Sequence, residues 1–189
     1  MMNRFFRHRR NILIFLGILV PMFAKADTWT SPIIKTYYSE NKEYKLIVTP
    51  RSFSAQGTTL MSCTAELYRI NESESIQIWK KPLVNVLSPV HAIVANDGSS
   101  IATFDNWYSK GYGVNVFVVY NEKGEAKKTY KLEEVTPFPL NDYLRSISSL
   151  HWYAGVRFID NERIEIIFET ETNKQARRIY KTKSFEFEE

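Results

Sequence analysis

Asp97-Gly-Ser-Ser-Ile-Ala-Thr-Phe-Asp-Asn-Trp-Tyr-Ser-Lys-Gly-Tyr-Gly-Val-Asn-Val-Phe-Val-Val-Tyr-Asn-Glu-Lys-Gly124 reads as turn, strand, loop, strand, turn. Asn96-Asp97-Gly98 is the strongest turn signal in the chain, because these residues tolerate positive φ at low cost. It predicts a hairpin between Val90–Ala95 and Ser100–Asp105. Val114–Tyr120 is apolar on both faces, with Val116 and Val118 on one and Phe117 and Val119 on the other. That pattern predicts a central strand covered from both sides. Between the two strands lies a dense cluster of aromatics and glycines, residues 105–113.

The same grammar extends outward. Ile33–Tyr38 and Tyr44–Thr49 flank the polar turn Glu40–Lys42, and Met61–Ile70 and Ile76–Trp79 flank Asn71–Glu74. Pro50–Thr59 reads as a loop, and Asp27–Pro32 as a loose leader. Ala126–Leu132 completes the central set. Leu140, Tyr143, Leu144 and Ile147 are spaced i, i+3, i+4, i+7, and Pro137 and Pro139 precede them. That spacing predicts a short helix near 140–147. Ser148–Tyr153, Val156–Ile159 and the alternating Ile164, Ile166 and Phe168 read as strands, and Arg177–Phe187 as a long charged edge strand.

A degenerate repeat runs through these strands. Leu67-Tyr68 precedes Trp79, Val119-Tyr120 precedes Tyr130, and Ile167-Phe168 precedes Tyr180, each by a turn and a strand. Propellers take at least about four blades, and the chain holds only about three units of ~50 residues. The expected fold is therefore mainly β: an antiparallel β-sandwich or blade-like β-sheet repeats. A propeller completed by oligomerisation is the further option.

Residues 1–26 read as a secretory signal peptide. Arg4, Arg7, Arg9 and Arg10 precede the apolar stretch Asn11–Phe23, and Ala24-Lys25-Ala26 is a small-x-small cleavage signal. At 13 residues the stretch is short against the roughly 18–20 a spanning helix needs. Cleavage near Ala26 would leave a single β-rich domain, 27–189, in the periplasm or secreted. The leader holds five of the 25 Lys+Arg and none of the 21 Asp+Glu, so the remainder has net charge −1. A nucleic-acid reading from overall basicity fails on that count. Cys63 is the only cysteine, so no intramolecular disulfide exists, and it reads as a buried thiol.

The run Asn-Asp-Gly (96–98), Thr-Phe-Asp-Asn-Trp-Tyr (103–108), Gly-Tyr-Gly-Val-Asn-Val (111–116), Val-Val-Tyr-Asn-x-x-Gly (118–124) and Tyr-x-Leu-Glu (130–133), then Arg145–Trp152, resembles a group of small exported bacterial proteins with WD-like or blade-like β repeats. The resemblance covers about half of the chain after the leader. It implies a β fold and an extracytoplasmic setting, and it brings no catalytic residues.

Catalytic and metal signatures are absent from the sequence. His91 and His151 are far apart, and no His-Glu-x-x-His, Cys-x-x-Cys, Gly-x-Ser-x-Gly or phosphate loop occurs. No cofactor is expected. The best candidate contact residues are Asp105, Asn106, Trp107, Tyr108 and Tyr112, where amphipathic rings stand beside directional polar groups. Arg145, His151 and Trp152 form a second candidate segment. The competing reading of the loop is structural: Trp107 and Tyr112 plug a sheet end while Asp105 and Asn106 bond loop amides.

Three functions follow as expectations. The first is a non-enzymatic binding protein for an envelope protein or glycan, of which an inhibitor or immunity-type protein is one version. The second is a small envelope hydrolase using His151 with Asp105 and Ser148 or Ser149. The third is a structural module of a larger β assembly.

Overall fold

The computed structural model describes residues 28–72 and 74–188, and the expected signal peptide and its cleavage point lie outside them. Among the described residues no helix is long and apolar enough to cross a membrane. Three four-stranded antiparallel sheets follow one another along the chain. The first contains β1 (Lys35–Tyr38) and β2 (Tyr44–Thr49), then, after a small hairpin of β3 (Ser52–Phe53) and β4 (Thr59–Met61), β5 (Thr64–Ile70) and β6 (Ser75–Pro82). The second is the uninterrupted meander β7 (Pro89–Val94), β8 (Ser100–Asn106), β9 (Phe117–Asn121) and β10 (Ala126–Tyr130). A one-turn helix α1 (Leu132–Val135) and a two-stranded ribbon, β11 (Leu144–Arg145) with β12 (Leu150–His151), lead to the third sheet. That sheet is the meander β13 (Tyr153–Phe158), β14 (Arg163–Glu169), β15 (Gln175–Lys181) and β16 (Glu186–Phe187).

The middle sheet is covered on both faces. Strand alternation along β9 sends Val118 and Tyr120 into one core with Leu46, Leu67 and Trp79 of the first sheet. It sends Phe117 and Val119 into the other, with Trp152, Ile164, Phe168 and Tyr180. Each such side chain, fully buried, contributes about 1.5–3 kcal/mol, so the two-faced apolar run is what holds three sheets together. The first strands come side by side, with β7 lying between β1 and β13. Cys63 is buried with the first core, and burial pushes its thiol up to about 12, which makes it unreactive.

Mainly β architecture with antiparallel pairing is as the sequence predicts, including the Asn96–Gly98 hairpin between β7 and β8. Several boundaries differ. The apolar spacing at 140–147 does not produce a helix there. A 3-10 turn covers Leu140–Asp142, Leu144–Arg145 is a strand, and the α-turn forms earlier, at Leu132–Val135. There Glu134 accepts the Lys131 backbone N–H at 2.7 Å and fixes the first turn. Arg177–Phe187 is not one edge strand. The chain turns at 182–185, which places β15 inside the sheet and leaves only β16 at the edge. The repeat also slips phase. Its motif falls on the third and fourth strands of the first two sheets but on the second and third strands of the last.

Candidate functional site

Asp105 is the penultimate residue of β8 and the hub of the loop that follows. Its backbone sits at φ +60°, in the left-handed region, which turns the chain out of the strand. Its side chain is 0% exposed. One carboxylate oxygen accepts the Gly111 N–H at 2.6 Å and the Trp152 indole N–H at 2.9 Å; the other lies 3.2 Å from the same indole nitrogen. Gly111 itself sits at φ +74°, and a Cβ there would stand 2.7 Å from the Leu150 Cβ. Only glycine lets the loop approach that closely. The Leu150 N–H donates to the Lys110 carbonyl at 2.9 Å, and Lys110 and Ser149 form a parallel bridge. The loop and the 145–152 segment, separate candidates in the sequence, are thus bound together.

The remaining loop residues follow the structural reading in part. Asn106 donates to the Val114 carbonyl at 2.7 Å and accepts from Asn85 at 3.0 Å. Tyr112 is half-buried against the core between the second and third sheets. Trp107 donates from its indole to the Thr30 carbonyl at 2.8 Å. The Trp29 ring meets Trp107 at 5.3 Å and Tyr108 at 5.8 Å, both edge-on, and its indole N–H donates to the Ser148 hydroxyl at 2.9 Å. The segment expected as a loose leader is therefore a strap laid across the aromatic loop. A single tryptophan in that leader is the one sequence signal for it.

A cleft of about 160 Å³ opens where strap, loop and β12 meet, lined by Thr28, Trp29, Lys110, Ser149 and His151. The Lys110 ammonium stands 4.7 Å from the centre of the Tyr153 ring, over its face, and that of Lys35 stands 4.9 Å from Trp107 in the same way. Among the described residues neither lysine has a carboxylate within ion-pair distance. Near them His91 holds its proton less tightly than usual, through burial first and then repulsion from Lys35 and Lys110. Burial raises Asp105 from its ordinary 3.8 to about 7, against the opposing pull of the Trp152 and Gly111 hydrogen bonds and of Lys110. Tyr153 is pushed up by burial and by the neighbouring Asp105.

Tyr108, 41% exposed, and His151 face solvent, while Trp107 is half-covered. Asp105 and Trp152, expected as partner contacts, are both sealed inside at 0% exposure; they position the loop instead of touching a partner. Arg145 is exposed but turned to Asn141, to which it donates at 2.7 Å. Trp29 and Lys35 are absent from the candidates named on sequence, and Lys110 falls inside the candidate loop without a role of its own, because a lone ring near the chain start and isolated lysines carry no spacing pattern. The Asp105 carboxylate is buried and accepts from Gly111 and Trp152, whereas His151 is exposed. Among the described residues no group of three metal-ligating side chains occurs. A larger groove, about 560 Å³, lies at residues 160–163 and 181–184, where Lys183 pairs with Glu162 and Arg163 with Asp160. Comparison with known protein families and with curated protein sequences finds no match to this chain.

Proposed function

We propose that the chain is an exported, non-enzymatic binding domain whose contact face is the aromatic loop, the strap and the β12 segment. The observation that carries this reading is the convergence of Trp29, Trp107 and Tyr108 beside a small polar cleft. Amphipathic rings next to a few directional polar groups are the composition of recognition surfaces for glycans and proteins. An unbroken structural loop would have no need to leave Tyr108 in water. Export follows from the signal peptide expected at residues 1–26, and the ligand belongs to the same compartment, as an envelope protein or glycan.

The test is capture of envelope components by the purified protein beside Tyr108→Ala. Tyr108 carries little of the fold, so the variant should melt with the parent and lose the captured component. Equal capture by both would remove the loop from the face. A second reading, a module of a larger β assembly, draws on the end sheets. Tyr38 and Ile78 of the first sheet are exposed, and the second sheet covers only one of its faces. Sedimentation at rising concentration separates the readings, since a module self-associates and a binder stays monomeric.

A further inference from the structure

We infer that the cleft beside Trp29 takes the carboxylate-bearing sugar of an acidic glycan, with Lys110 as the anion-binding group. This rests on the binding reading above and specifies its ligand.

The cleft holds about 160 Å³, well under the roughly 300–1,000 Å³ of sites that enclose a drug-sized ligand. It accommodates one terminal group and not an extended molecule. A protein partner covers about 800 Å² on each side, an area much wider than the cleft itself. A saccharide needs less: a flat ring to lie against, and a few fixed polar atoms.

Both are present. Trp29 lines the cleft, and Tyr108 meets its ring edge-on beside it. Ser149, His151 and Lys110 supply the polar part of the lining. Lys110 is fixed at both its backbone and its ammonium. Its carbonyl is bonded by Leu150, its backbone is bridged to Ser149, and its ammonium is seated over the Tyr153 ring. A lysine held this way loses little freedom on meeting an anion.

The sign of the site is also set. Lys110 is the ammonium-bearing residue of the cleft lining, and no carboxylate-bearing residue is among the described residues that line it. The carboxylate that acts on Lys110, Asp105, is sealed and accepts from Gly111 and Trp152. A ligand carboxylate completes the coordination that Asp105 does not provide, and a charge-assisted hydrogen bond from a restrained ammonium is among the stronger polar contacts available.

The experiment is a titration of the ¹⁵N-labelled protein with galacturonate, with galactose and acetate as parallel probes, read at the Trp29 indole N–H. Galacturonate is expected to shift that signal at lower concentration than either control. Lys110→Gln should weaken the effect about tenfold or more, and Lys110→Arg should retain most of it. The Trp152 indole signal, locked to Asp105, reports that each variant keeps its loop. Equal response to galactose and galacturonate would overturn the role of charge. Equal response to acetate would overturn the role of the sugar, and no response to any probe would overturn the site. Each of these leaves the Tyr108→Ala capture result standing, so the ligand class and the binding face fail separately.

Discussion

Replacing Asp105 with asparagine separates the two things its carboxylate does, accepting two hydrogen bonds and carrying a buried charge. In the folded protein the group titrates near 7 instead of 3.8, mainly because burial disfavours the ion. The folded state therefore holds a proton that the unfolded chain has already lost. Its stabilising effect is complete below about pH 3.8, declines as pH rises toward 7, and is gone above. Integrated from pH 5 to pH 8, this one group lowers stability by about 2.5 kcal/mol. With its oxygen placed where it accepts both the Gly111 and the Trp152 N–H, the substituted amide keeps those bonds but sets its own NH₂ where the second carboxylate oxygen lies, 3.2 Å from the indole nitrogen, a pH-independent cost of about 1–3 kcal/mol. The absolute stability of the variant is thus not the test; its pH dependence is. Urea denaturation of both proteins at pH 5, 6, 7 and 8 should show the parent's advantage over Asp105→Asn shrinking by about 2.5 kcal/mol across the series. A gap that stays constant would mean that the carboxylate is ionised throughout, held so by Lys110 and its two donors, and would refute the argument that burial dominates.

Two further changes follow from the same geometry. Gly111→Ala forces a left-handed alanine and a Cβ 2.7 Å from Leu150, and should cost about 2–4 kcal/mol in chemical denaturation. Trp152→Phe removes the indole donor from the buried carboxylate and should cost about 2–3 kcal/mol, more at pH 8 than at pH 5 because the ion loses more than the acid. Trp79→Phe is its counterpart. The Trp79 indole nitrogen is buried and has no hydrogen-bond partner among the described residues, so removing it offsets the lost ring area, and the change should stay within about 1 kcal/mol.

The part of the fold that is legible in the sequence is the part decided by period and punctuation. Two-sided apolarity at 117–120 marks a strand between two cores, although Val116, which alternation places with Val118, precedes the strand and packs with Phe117 and Val119; Asn96-Asp97-Gly98 marks a hairpin. Where the pattern fails, tertiary pairing overrides a local signal. Leu140, Tyr143, Leu144 and Ile147 satisfy a helical template, but Leu144 and Arg145 pair with His151 and Leu150 as a ribbon instead. Nothing local distinguishes those outcomes, since the partner strand lies beyond the window that the template reads. The site divides likewise. Composition marks the loop, but the direction in which Asp105 points is set by Trp152, 47 residues away. A buried acid and a solvent-facing one look identical in sequence. The strap is invisible for the same reason: Trp29 meets its hydrogen-bond partner Ser148 across 119 residues.

The backbone of the loop bears on what it is for. The chain joins β7 to β8 through the tight Asn96–Gly98 turn, so a short connection between neighbouring strands is within its repertoire. Between β8 and β9 it instead places Asp105, Tyr108, Gly111, Gly113 and Asn115 all at positive φ. Each non-glycine residue so held costs on the order of 1 kcal/mol or more, and a buried carboxylate adds a cost that grows with pH. A loop needed only to reverse direction would shed these features. What they secure is specific: the loop is pinned against Leu150 and Trp152, Lys110 is fixed beside the strap, and Tyr108 is left in solvent next to Trp29. Strain of this kind persists where the surrounding structure over-determines it, and here what it over-determines is the position of one ammonium group and two aromatic rings around a single small cleft.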